Sequence, residues 1–408
     1  MNKKNVLFVA VFAAIGIVLT VLIQKTIDTY THTLISPVSI LDLQQLPPQP
    51  PALSNSETPA LPKDFVRYGF VPYWTSKQAT IAAELTHVAY FSLEISPKGS
   101  IVTKTEDGTE MGWHTFQSTV FEKLYTTAQK QNQQLEIVLT MMDADDISAF
   151  LLSKDAQKNF YDTMKQLVLA EPISGINIDI EYAGTVTPQL KNAYTAFIQT
   201  LADEVRSKNP DIKIRIDVFG EAALKERIWD IPKLGAIVDS IIVMAYDYHR
   251  TSSPIAGPVA PIFGSEQKLW SSDIALCLKA FLETVPPEKI ILGIPLYGYE
   301  WQTTSHERGA TTYPKTGALA TYKRVAEIIR SPPENTLVYK RWDPQALSPY
   351  LTLEETIGKK KEIRTIYYED ARSLRYKLQL AQQAKLGGVA FWAIGYEGNN
   401  PDIWQIFK

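Results

Sequence analysis

Cysteine is almost missing from this chain of 408 residues, with Cys277 standing alone. A lone cysteine excludes an internal disulfide and any cysteine-cluster zinc or iron–sulfur site, and it leaves the compartment open. Histidine is scarce too, at five residues, and no two sit at a metal-ligand spacing. His306-Glu307 is not followed by a second histidine four residues on, which excludes a zincin. There is no P-loop, no G-x-G-x-x-G turn and no G-x-S-x-G nucleophile elbow. An excess of one charge is also lacking. The net charge is −3, so there is no basic footprint for nucleic acid as the main partner.

What is present is ordinary globular material. Apolar residues make up 45% of the chain and charged residues 21%, enough to bury a core. The length suits one large domain or two to three small ones. The first 63 residues stand apart. Val6 to Ile23 is a run of 18 positions interrupted only by Gly16 and Thr20. As a helix it spans about 27 Å, close to a bilayer core. Lys3 and Lys4 precede it, so the positive-inside rule keeps the amino end in the cytoplasm and sends the rest across. A cleaved signal peptide is the alternative, but Gln24-Lys25-Thr26 offers no small-x-small cleavage site. Residues 1–25 are therefore expected to be a transmembrane anchor. Residues 26–63 form a linker, with seven prolines between Pro37 and Pro62 that imply a semi-extended stalk. The expected location is the cell membrane, single-pass, with the C-terminal domain outside the cytoplasm, or secretion if the segment is cleaved.

From residue 64 to 408 the pattern alternates. Short apolar runs recur at Val66–Tyr73, His87–Leu93, Leu135–Met141, Gly175–Glu181, Ile212–Phe219, Ser240–Tyr246, Ile290–Tyr297 and Gly388–Ile394. Between them lie helical stretches such as Thr115–Gln133, Ile147–Leu169, Gln189–Ser207, Asp273–Thr284 and Ala371–Lys385, apolar at i, i+3, i+4 spacing. Such alternation implies a parallel sheet with right-handed crossovers. Eight units suit an α/β fold of the (β/α)8 TIM-barrel type, with a doubly wound open sheet as the runner-up. The rhythm breaks between the seventh and eighth strands, where about 301–362 reads as a small α+β insertion.

In such a barrel, chemistry belongs at the C-terminal ends of the strands. The fourth strand, Ser174-Gly-Ile-Asn-Ile-Asp-Ile-Glu181, stands out. Strand side chains alternate, so Asn177, Asp179 and Glu181 share one face and Ile176, Ile178 and Ile180 the other. The isoleucines suit the barrel–helix layer, which points the polar trio into the lumen. Neighbouring carboxylates there raise each other's pKa, which keeps one protonated near neutral pH. The competing reading of such a pair is a structural ion pair with a lumen lysine or arginine.

These motifs resemble those of family 18 glycoside hydrolases, the chitinase family, whose fourth strand carries D-G-x-D-x-D-x-E. Gly175, Asp179 and Glu181 match, while Ser174 and Asn177 depart from it. The N-I-D-x-E form is similar to the spore-cortex and peptidoglycan-directed N-acetylglucosaminidase branch. Met244-Ala-Tyr-Asp247 matches the family's M-x-Y-D, and Gly293-Ile-Pro-Leu-Tyr-Gly-Tyr299 matches G-x-P-x-Y-G. The stretches around Trp342, Tyr367 and Gly387-Gly-Val-Ala-Phe-Trp392 follow the same family's C-terminal third. The third strand ends Thr140-Met-Met-Asp143 without the chitinase Gly-Gly-Trp, which argues against binding of long chitin chains.

The resemblance implies a retaining hydrolase of β-1,4 bonds next to N-acetylglucosamine, in peptidoglycan-type glycans or chitin, that uses the substrate's acetamido oxygen as nucleophile. It implies Glu181 as acid and base, Asp179 as orienter of the acetamido group and Tyr246 as its hydrogen-bond donor, with no metal or organic cofactor. Asn177, Asp247, Tyr297, Trp392, Trp74 and Met244 become candidate substrate-binding residues. Asn177 is expected to donate its amide hydrogen bond to Asp179. Trp301 and His249 are weaker site candidates, and Cys277 reads as a small buried residue. The alternative function is a non-catalytic sugar-binding relative, and Glu181 is the residue such proteins typically replace.

Overall fold

The computed structural model describes residues 61–358 and 360–407. They belong to the second of the two units into which the chain divides, Pro47–Lys408. The expected anchor at Val6–Ile23 and most of the proline-rich linker lie outside the described residues. No helix among the described residues is long and apolar enough to cross a membrane.

Seven strands follow one another in parallel around a ring: β1 (Val66–Pro72), β2 (His87–Glu94), β3 (Gln134–Met141), β4 (Gly175–Ile180), β5 (Lys213–Phe219), β6 (Ser240–Met244) and β7 (Ile290–Pro295). Five more leave it: β8 (Tyr297–Thr303), β9 (Ala318–Thr321), β10 (Thr336–Asp343), β11 (Ser348–Ile357) and β12 (Lys360–Tyr367). The chain then returns as β13 (Gly388–Trp392), which pairs with β7 on one side and β1 on the other, with Val66 opposite Gly388. That last ladder closes the barrel and excludes the open doubly wound sheet.

Helices pack outside the ring through apolar stripes. Pro188–Arg206 buries Leu190, Tyr194, Phe197, Ile198, Leu201 and Val205, the i, i+3, i+4 pattern of one helical face. Thr187 caps its start by accepting from the Leu190 N–H, with Pro188 in the first turn. Two expected helices are each broken in two by a serine. Ile147–Leu169 appears as Ala144–Leu152 and Lys154–Ala170. Ser153 ends the first and caps the second, its Oγ accepting from the Ala156 N–H at 3.2 Å. Thr115–Gln133 appears as Met111–Phe116 and Thr119–Lys130, with Ser118 as the cap. Such side-chain hydrogen bonds compete with helix continuation and favour a cap.

The insertion is a five-stranded antiparallel sheet in the order β9-β8-β12-β11-β10, with one helix at Tyr322–Arg330. It runs from Tyr297 to Tyr367, wider than the expected 301–362. Only Leu296 separates β7 from β8. One apolar run therefore serves two sheets, and pattern alone does not reveal where the barrel strand stops.

The lumen is divided. Tyr68, Phe70, Ala89, Phe91, Val138, Ile242, Ile291 and Ala390 form its apolar part. Across β3, β4 and β5 runs a polar stripe of Glu136, Asn177, Asp179, Arg215 and Asp217, all buried.

Candidate active site

The polar stripe is built upward from the base of the barrel. At the base, Arg215 is ion-paired to Glu136, and Tyr68 donates from its hydroxyl to Glu136 Oε2 at 3.1 Å. One layer higher, Asn177 Nδ2 donates to Asp217 Oδ1 at 3.0 Å and Oδ2 at 3.2 Å, and to the Tyr68 hydroxyl at 3.4 Å. The amide therefore bonds to β5 and not to Asp179, contrary to expectation. Asn177 and Arg215 are register partners across β4 and β5, which turns the amide sideways to the next strand.

Asp179 is buried, and its Oδ1 has no hydrogen-bond partner among the described residues. Burial first, then the charges of Asp217 and Glu181, push its carboxyl well above the usual range. Glu181 is the first residue beyond β4, its backbone N–H donating to the Met141 carbonyl at 3.0 Å. Burial raises its carboxyl as well, opposed by Arg250 and reinforced by Asp247. The alternation expected for this strand is observed: Ile176, Ile178 and Ile180 are fully buried in the opposite, barrel–helix layer.

Tyr246 follows β6, with Met244 at that strand's end. Burial, joined by the charges of Asp217, Asp179, Glu181 and Asp247, pushes its phenol far above the ordinary range. The group is therefore a fixed O–H donor facing four carboxyls. Its ring packs against the backbone of β7. A Cβ on Gly293 would lie 3.2 Å from Tyr246 Cε1 and 2.6 Å from the Val243 carbonyl, so only glycine fits there.

Asp247 adopts a left-handed backbone at φ +63°. Its Oδ1 accepts from the Tyr297 hydroxyl at 2.5 Å and the Tyr299 hydroxyl at 2.8 Å. Trp392 ends β13 and packs edge-on against Phe91 at 4.5 Å, Phe70 at 5.6 Å and Trp74 at 6.2 Å between centroids. Trp74 is 44% exposed, an open aromatic plane at the rim, as a sugar-stacking residue requires. Glu181, Asp179, Asn177, Tyr246, Met244, Asp247, Tyr297, Trp392 and Trp74 thus all lie in or at the C-terminal mouth of one barrel.

The weaker candidates fall elsewhere. Trp301 is fully buried, and its indole N–H donates to the Arg250 carbonyl at 3.1 Å. It anchors the Arg250 loop rather than a sugar. His249 is buried with Nδ1 2.9 Å from the Pro258 carbonyl, a loop hydrogen bond. Cys277 is buried and accepts from the Tyr248 hydroxyl at 3.2 Å.

Pattern reading missed Asp217, Arg250, Tyr396 and Glu397. Period-two alternation applied to β5 would have placed Arg215 and Asp217 on one inward face. Tyr396 stacks edge-on to Tyr297 at 6.2 Å. Glu397, in the loop after β13, is buried, and one oxygen accepts from the Gly395 N–H at 2.7 Å while Oε1 has no partner among the described residues. Burial pushes its carboxyl up to about 7. Among the described residues no cluster of His, Cys, Asp and Glu could hold a metal ion.

The family whose model matches this chain is described as Glycosyl hydrolases family 18, and the match runs over residues 68–397. The cortical fragment-lytic enzyme of Bacillus subtilis (strain 168) is 23% identical over 341 residues, covering 79% of this chain and 67% of that protein. The GH18 chitinase from Cycas revoluta, solved in complex with (GlcNAc)3, superposes with a TM-score of 0.70 at 20% identity, over 84% of this chain and 98% of that one. The spore cortex-lytic enzyme SleL of Bacillus megaterium QM B1551 gives a TM-score of 0.61 at 20% identity, over 83% and 72%. These structural likenesses are likenesses of fold.

Proposed function

The chain belongs to glycosyl hydrolase family 18, and from that premise we propose that it cleaves β-1,4 bonds next to N-acetylglucosamine in peptidoglycan-type glycans. Configuration is retained, and the substrate's own acetamido oxygen is the nucleophile. Glu181 donates a proton to the leaving glycosidic oxygen while the acetamido oxygen bonds to the anomeric carbon. The resulting oxazolinium ion is opened by water, which Glu181, now a carboxylate, deprotonates. Asp179 accepts the acetamido N–H and faces the positive charge of that ion. The Tyr246 phenol, which burial holds in its O–H form, donates to the acetamido oxygen and keeps it in line. Asp247, held by Tyr297 and Tyr299, contacts the distorted sugar. Trp392 forms the floor under its apolar face.

The observation that carries this reading is the pairing of two environments. Glu181 sits at the rim with a raised carboxyl, and buried Asp179 lies behind it on the same strand face. A general acid needs a raised pKa and access, and only the first of these two groups has both. A non-catalytic sugar-binding relative has no use for the acid, and Glu181 is present. The similarity to a cortical fragment-lytic enzyme, Asn177, and the absence of Gly-Gly-Trp after β3 all favour peptidoglycan over long-chain chitin. The apolar run at Val6–Ile23 supports a membrane-tethered domain outside the cytoplasm beside such a glycan.

Product analysis tests the reading. The enzyme should release fragments with a reducing N-acetylglucosamine of retained anomer, seen by NMR, from purified peptidoglycan and from defined N-acetylglucosamine oligomers. Glu181→Gln keeps the shape and loses the transferable proton, so turnover should fall by about two to four decades. A Glu181→Gln enzyme with wild-type rates, or initial products of inverted anomer, would sink the mechanism.

A further inference from the structure

We propose that Asp217, on β5, is the proton partner of Asp179, the part that residue 177 cannot play as an asparagine. The inference rests on the function proposed above and assigns a positioning residue to that site.

The placement is geometric. Asn177 and Arg215 are register partners across the β4/β5 ladder, which ends at Ile178 and Ile216. Two residues further on, Asp179 and Asp217 occupy the next inward positions of adjacent strands, which run about 4.8 Å apart. Asp217 is 2% exposed and Asp179 3% exposed. Two carboxyls buried side by side cannot both ionise without a cation between them. The cation that acts on Asp217 is Arg215, and it is ion-paired to Glu136 at the base. One proton is therefore shared between the two acids.

The hydrogen bonds say where that proton rests. Asn177 presents an N–H to both oxygens of Asp217, which favours the ionised form there. Asp179 Oδ1 is buried with no partner among the described residues, as suits the neutral acid. At rest the charge sits on Asp217 and the proton on Asp179. When substrate binds, the proton passes from Asp179 to Asp217, and Asp179 becomes the carboxylate that accepts the acetamido N–H. Charge is conserved, no other reactant is needed, and the proton returns when product leaves. Both carboxyls lie well above their usual range, each mainly through burial. The other groups acting on the pair are Glu136 of β3, Glu181 after β4, Tyr246 after β6, Arg215 of β5, Tyr68 of β1 and Tyr194 of the Pro188–Arg206 helix.

The test transposes the acid. Asp217→Asn removes the group that carries the charge at rest, so Asp179 must itself ionise against its burial before it can accept the acetamido N–H. The acidic limb of kcat/KM on a soluble N-acetylglucosamine oligomer should then move up by about one pH unit or more, with kcat lowered about tenfold. The double variant Asn177→Asp/Asp217→Asn should return both towards wild type. Melting temperature against pH gives a readout without substrate. A folded-state pKa above the unfolded value gives stability that is full below the unfolded pKa and is lost as pH rises through the folded one. Wild type should lose stability with rising pH through that window, and Asp217→Asn should flatten the curve. Superimposable pH–rate and pH–melting curves for wild type and Asp217→Asn overturn the proposal. So does a uniform loss of melting temperature at all pH values with the acidic limb unmoved, which marks a merely structural role. If Asp217→Asn does not fold, the transposed variant decides: a wild-type limb supports the proposal, and a displaced one overturns it. Wild type inactive on every N-acetylglucosamine glycan fails the proposed function instead, and the melting curves still judge the proton pair.

Discussion

Arg250 shows how one exposed side chain tunes a buried acid. Its Nε lies 3.8 Å from Asp247 Oδ2 and donates to the Asp247 carbonyl at 3.3 Å. Its charge opposes the burial that raises Glu181, while Asp247 works with that burial. Removing the guanidinium leaves the two raising influences unopposed. Arg250→Ala should therefore lift the Glu181 pKa and move the basic limb of kcat/KM to higher pH, because the acid stays protonated longer. The Arg250 carbonyl is held by Trp301 whatever the side chain, so the loop survives the change. A pH–rate series from 5 to 9 reads the shift, and a basic limb that stays put or moves down would remove Arg250 from the account. Residue identities and strand faces were legible in the sequence here. Asp179 and Glu181 follow from period-two alternation, and Tyr246 and Asp247 from the resemblance. Asn177's partner was not legible, because Asp217 lies 40 residues on. Which rungs of two strands stand level is set by closure of the whole ring, not by either strand's own pattern.

At the scale of elements, the barrel strands follow from their own composition and the joints between elements do not. β4 and β6 are buried along their whole length; a continuous apolar run bounded by turns announces β6, and alternation of isoleucines with Asn177 and Asp179 announces β4. The joint between β7 and β8 is hidden because Leu296 alone turns the chain from one sheet to another. The serine breaks at 118 and 153 were hidden for a related reason. The apolar stripe runs through them, and only the Oγ bonds to Val120 and Ala156 reveal the restart. Gly293 marks where two elements meet with no room to spare. Gly293→Ala sets a methyl against the Val243 carbonyl of β6 and the Tyr246 ring. The closest contact, 2.6 Å, is with the barrel wall itself, so β7 must shift against β6 and the Tyr246 ring, 3.2 Å away, is displaced with it. Overpacking of this kind costs about 1–3 kcal/mol. Since Tyr246 is the displaced group, the variant should lose kcat by more than its stability loss explains. A Gly293→Ala enzyme that keeps wild-type kcat at a temperature where it is fully folded would detach Tyr246 from catalysis.

For the molecule as a whole, closure decides what the first sixty residues can contribute. A sheet with an open edge invites another strand, whereas a closed ring has none to offer. Here Val66 pairs with Gly388 and Tyr68 with Ala390 on one side of β1, and Tyr68 with His87 on the other. Every barrel strand has both neighbours from within residues 66–392. The inserted sheet draws its five strands from 297–367, with β9 and β10 at its edges. All the described strands of both sheets thus come from beyond Leu61, so a chain beginning there should fold unaided. Its melting temperature should match that of the full chain within about 1 °C, a difference of under about 1 kcal/mol for a domain of this size. It should also turn over a soluble N-acetylglucosamine oligomer at the same rate. The two chains should part company in the cell. The full chain, with the apolar run at Val6–Ile23, should sediment with membranes and release its barrel when protease is added to intact cells. The shortened chain should do neither. An unfolded or aggregated shortened chain would mean that residues before 61 carry part of the core. A full chain found free in the cytoplasmic fraction would reject the anchor while leaving the barrel's chemistry as argued.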